Sequence, residues 1–78
     1  MATTVHRKHQ GEQRTYLVVP ATDATGQHVG SHVFQVTDDG PAYRGEGDAV
    51  GDWEPDEELT NDDAPKSALE AAREAADA

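Results

Sequence analysis

TYLVVP, residues 15–20, is the stretch on which the fold turns. Its β-branched and aromatic residues favour a strand, and Pro20, which has no N–H to give to a sheet ladder, closes it. In a strand Leu17 and Val19 point to one face and Tyr16 and Val18 to the other, so both faces are apolar. Such a strand is central or covered on both sides. With few other apolar residues in the chain, cover for the second face is expected from another molecule.

Working outward, ATDATGQ (21–27) reads as a hairpin loop, and His28 to Thr37 as the second strand. Asp38-Asp39-Gly40-Pro41 is a turn, with Gly40 free to take positive φ. Ala42 to Val50 gives a third strand, made irregular by Gly45 and Gly47. The fold class expected is α+β or mainly β: a small three-stranded antiparallel meander over residues 15–50. Residues 1–14 form a flexible basic arm, residues 51–63 an acidic linker and residues 64–78 a C-terminal helix. That helix has Asp62 or Asp63 as N-cap, Pro65 in its first turn and a stripe of alanines with Leu69 at helical spacing.

The composition sets the scale. Among 78 residues Leu, Ile, Val and Phe number eleven, and eight of these lie between positions 17 and 50, so the middle can collapse while the ends stay solvated. Sixteen acidic residues oppose six basic ones, for a net charge of −10. This Asp- and Ala-rich, Lys-poor usage has the style of proteins adapted to concentrated salt, where a Debye length near ~3 Å screens self-repulsion. The arm runs against the trend: Arg7, Lys8 and Arg14 face only Glu12 there, a net +2. With His6 and His9 it forms a basic patch suited to an acidic neighbour.

HVGSHVFQV (28–36) raises the question of a metal site. On a helix His28 and His32 could chelate one ion. On a strand they share a face but lie roughly 13 Å apart, too far for a single ion bound ~2 Å from each nitrogen. A composite site with His6 or His9 lacks matched spacing, so no metal is expected. Along this strand Val29, Ser31, Val33 and Gln35 fall on one face and His28, Gly30, His32, Phe34 and Val36 on the other. Apolar character therefore changes face at Val33-Phe34, which implies a bulge or burial on both sides there.

The remaining chemistry is sparse. Without cysteine there is no disulfide and no thiolate. Ser31 and His32 are adjacent and point to opposite faces of a strand, so they cannot pair. Tyr43-Arg44-Gly45-Glu46-Gly47 lacks the third glycine of a dinucleotide fingerprint. Trp53, the single tryptophan, is expected to cap the edge of the sheet, and its functional role would be to anchor the chain in a partner's groove.

These features point to a non-enzymatic structural or interaction subunit of a larger assembly in a high-salt setting, a viral particle component being one concrete form. Tyr16, Val18 and Phe34 are the interface candidates, with Trp53 as anchor. No cofactor is implied. A protein partner or self-assembly is expected, with nucleic-acid binding through the arm (His6, Arg7, Lys8, His9, Arg14) as the alternative. No apolar run marks a secretion signal or a membrane span, so the expected location is the cytoplasm, or a particle assembled there.

Overall fold

Short turns set the register of the whole sheet. The computed structural model describes residues 2–47 and 53–77. Four strands run antiparallel in chain order: β1 (Thr3–His9), β2 (Glu12–Thr22), β3 (His28–Thr37) and β4 (Gly40–Gly47). Among the described residues a 3-10 turn (Asn61–Asp63) and one helix, α1 (Lys66–Asp77), follow. The protein is thus a small α+β fold with four strands rather than the three expected from the sequence. The expected extension of the last strand through Val50 lies outside the described residues.

The extra strand comes from residues assigned to the flexible arm. Gln10 and Gly11 take φ of 52° and 82°, the left-handed pair that closes a two-residue hairpin with the right twist. His9 then pairs with Glu12, Arg7 with Arg14, Val5 with Tyr16 and Thr3 with Val18. A strand as polar as TTVHRKH carries little propensity signal of its own; it is ordered by its neighbour.

The β2–β3 loop is organised by Asp23. Its carboxylate accepts from Thr25 N (2.9 Å), Thr25 Oγ1 (2.6 Å) and Gln27 N (3.1 Å), and Gly26 takes a φ of 86°. The Thr25 hydroxyl, with the backbone amides of Thr25 and Gln27, holds this carboxyl below the usual aspartate range. Because the folded pKa is depressed, the stability it supplies is complete above the unfolded pKa and is lost as pH falls through the folded value. Asp23→Asn should therefore flatten the acid limb of a stability-against-pH curve while leaving its neutral plateau the higher-stability region. Urea melts at a series of acidic pH values measure this.

At the next turn Gly40 takes a φ of 108°, as its sequence context predicts, and Thr37 Oγ1 donates to Gly40 O (2.6 Å). The β3–β4 register then slips: Val33 pairs with Gly45 and Phe34 with Tyr43, leaving Arg44 as the extra residue of a bulge. Gly45 absorbs it at a φ of 120°. The bulge at Val33-Phe34 was legible in the change of apolar face. Its effect is to put Phe34 and Tyr43 on one side of the sheet while Arg44 reaches Gln35 Oε1 (2.9 Å).

Both faces are covered, each by a later part of the same chain. On one, Leu17, Val19, Phe34 and Tyr43 meet Ala68 and Ala72 of α1, with Leu59, Leu69, Ala71 and Ala75 around them. The alanine stripe lets the helix backbone sit close to the strands. On the other face Tyr16 and Val33 are sealed by Trp53, with Val5 and Val18 at the margin. The cover expected from another molecule is supplied from within. Asp63, expected to cap the helix, instead accepts from Thr60 N (2.9 Å), and α1 opens with Leu69 N donating to Pro65 O (3.0 Å).

Candidate interaction surface

The basic residues of β1 and β2 meet an acidic partner, and it is this chain's own residues 53–58. The Arg7 guanidinium lies 4.4 Å from the Trp53 ring centroid, and its Nη1 donates to Trp53 O at 2.8 Å. Trp53 stands edge-on to Tyr16, centroids 4.9 Å apart at 65°. Further along, Arg14 pairs with Glu57 and, more loosely, with Glu12 (3.4 Å). The Glu57 carboxyl is held below the usual range by that guanidinium. Asp56 N donates to Arg44 O at 2.8 Å. Residues 53–58 are thus a strap laid across the sheet, with Trp53 on its face rather than capping its edge.

Beyond the strap, Asn61 plugs the β4 edge. Its Oδ1 accepts from Tyr43 N (2.8 Å) and its Nδ2 donates to Pro41 O (3.1 Å), so one side-chain amide stands in for the peptide group of a fifth strand. Pro41 contributes no N–H to that edge. Asn61→Ala should cost about 1–3 kcal/mol, since Tyr43 N is left without its partner in a part-buried position. Its amide should then exchange with solvent much faster, which hydrogen-exchange NMR reads directly.

The β1 edge is treated differently. The two-residue turn makes His9 and Glu12 a hydrogen-bonded pair, so in alternation Arg7, Val5 and Thr3 also bond inward to β2. Thr4, His6 and Lys8 then direct their N–H and C=O groups outward. No side chain among the described residues is found hydrogen-bonded to them in the way Asn61 meets β4. Lys8 and His6 are exposed, and His6 Nδ1 lies 3.1 Å from Thr15 Oγ1. Among the described residues helix α1 packs chiefly on β2, β3 and β4 rather than on β1.

The residues singled out in the sequence are distributed as follows. Tyr16 and Phe34 are fully enclosed and Trp53 is 7% exposed, so all three serve the chain's own cores. Val18 is half-buried at the margin of the Trp53 cluster. Tyr16, Phe34 and Trp53 are therefore not free to face a partner, whereas Val18 keeps part of its surface exposed. Of the basic patch, Arg7 and Arg14 are engaged by the strap, while His6 and Lys8 remain exposed and His9 is half-buried. His28 is exposed, whereas His32 sits 3.4 Å from Tyr43 Oη. No group of three or more metal-ligating side chains forms among the described residues.

Ser31 is buried on the Trp53 side of the sheet, opposite to His32, so the two do not pair. Two clefts among the described residues are open grooves. One is lined by Val19, Pro20, His32, Ser67 and Ala71, and another by Val36, Asp38, Asp39, Arg73 and Asp77. No helix among the described residues is long and apolar enough to cross a membrane.

Asn61 and the Gln10-Gly11 turn escaped the sequence reasoning. A lone asparagine in an acidic run carries no local signal. The turn could have been found from the glycine two residues beyond His9 and the pairing of Val5 with Tyr16 that it implies. Comparison with protein-family models, with curated proteins and with solved structures finds no match to this chain.

Proposed function

We propose that this chain is a non-enzymatic interaction subunit of a larger assembly working in concentrated salt, a viral particle being one such setting, and that it joins its neighbour along the β1 edge. The observation that carries this reading is the unequal treatment of the two sheet edges. Asn61 and Asp56 take up Tyr43 N, Pro41 O and Arg44 O on β4, while no comparable hydrogen bond among the described residues reaches the outward backbone groups of β1. Strand addition suits a small domain whose apolar residues are committed to its own two cores, because main-chain hydrogen bonds supply the affinity. It also suits molar salt, because main-chain hydrogen bonds depend little on surface charges that are screened within about 3 Å.

Nucleic-acid binding through the basic residues is the alternative. It has less support, since Arg7 and Arg14 are already engaged within the chain and Lys8 is left as the strong exposed cation of that strand. A photo-reactive residue at position 8, with one at Asp39 as a control, separates the two. The interaction subunit yields a crosslink to a polypeptide of discrete mass from position 8 and not from 39, retained in molar salt. Crosslinks only to nucleic acid, disappearing linearly in log–log form as salt rises, would establish the regulator instead.

A further inference from the structure

We infer that the strand added to β1 is an acidic extended segment of a different polypeptide. This rests on the proposed docking at that edge and goes on to specify its occupant. Three observations carry it.

First, the edge is chemically polarised. Thr4, His6 and Lys8 lie on the α1 side of β1, and Val5, Arg7 and His9 on the other. An incoming strand therefore meets the exposed His6 and Lys8 on its α1 side and the half-buried His9 on the other, Arg7 being taken up by Trp53. Carboxylates at alternating positions would stand opposite them at cross-strand distance.

Second, the pattern excludes the simplest competitor, a second copy. Two β1 strands laid antiparallel about His6 would set His6 opposite His6, Arg7 opposite Val5 and Lys8 opposite Thr4, so neither copy offers the other a carboxylate. An exposed lysine on an edge strand is a device against such self-pairing.

Third, the chain already shows what this basic strip accepts. Its own residues 53–58, rich in Asp and Glu, lie across the same hairpin, with Glu57 on Arg14 and the Trp53 carbonyl on Arg7. None of their hydrogen bonds among the described residues reaches the outward groups of Thr4, His6 or Lys8.

The test uses the full chain and a blocked synthetic peptide as long as β1 that alternates glutamate with threonine and valine. Its lysine-for-glutamate counterpart and a single-stranded oligonucleotide serve as competitors. Amide NMR shifts should move for Thr4, His6 and Lys8 with the acidic peptide and stay still with the basic one. His6→Pro removes an outward N–H without touching the β1–β2 ladder, and should weaken binding about tenfold with the remaining spectrum unchanged. Should that variant fail to fold, Lys8→Glu serves, and should reverse the preference toward the lysine peptide.

Several results overturn the inference: equal binding of both peptides, shifts centred on α1, tighter binding of the oligonucleotide, or dimerisation of the chain through β1. If the photo-crosslink from position 8 reaches a polypeptide while the acidic peptide leaves β1 unmoved, the occupant is wrong and the docking edge stands. If both fail, both fall.

Discussion

Trp53→Ala is expected to leave the protein largely unfolded at room temperature. Replacing a buried tryptophan by alanine costs about 3–5 kcal/mol, and a domain this small has a total stability of about the same size. The loss has named parts. The edge-on contact with Tyr16 contributes ~0.5–1.5 kcal/mol beyond its area and the stacking of Arg7 ~0.5–1 kcal/mol. Removal of the indole also wets Tyr16 and Val33, which are otherwise completely enclosed. Trp53→Phe keeps an edge for Tyr16 and should retain more than half of the stability. Circular dichroism against urea distinguishes the outcomes. A cooperative transition with an unshifted midpoint in Trp53→Ala would mean that the strap contributes nothing to folding.

Phe34→Ala should be comparably severe, at about 3–5 kcal/mol, through the other face. Its ring is fully buried and lies 5.2 Å from that of Tyr43, beside Leu17 and under Ala68 and Ala72. The substitution removes much of the floor on which α1 rests. A helix of 12 residues is marginal by itself, so its amides should lose hydrogen-exchange protection before those of β2 and β3. Protection lost evenly across α1 and the central strands would show instead that the helix and sheet open as one unit.

How far the chain could be read in advance depends on where the information lay. The two-sided character of Tyr16-Leu17-Val18-Val19, the turn at Asp38-Asp39-Gly40, the bulge at Val33-Phe34 and the alanine stripe of α1 are all written in local period or turn chemistry. They were legible for that reason. β1 was not, because Thr3–His9 has Val5 as its one apolar residue and owes its order to pairing with β2. Tyr16, Phe34 and Trp53 stand out as unsatisfied apolar surface while residues 53–77 are imagined as an extension. Once that segment folds back, the same residues become core. Part of the basic patch followed the same course: Arg7 is engaged by the Trp53 carbonyl and Arg14 by Glu57. What remains accessible, the backbone of Thr4, His6 and Lys8, is invisible to any scan of side-chain type.

Asn61 has a consequence for stoichiometry. Because its amide takes up Tyr43 N and Pro41 O, the strand addition proposed at β1 has no equivalent at these groups of β4, which disfavours head-to-tail growth of the sheet into fibres.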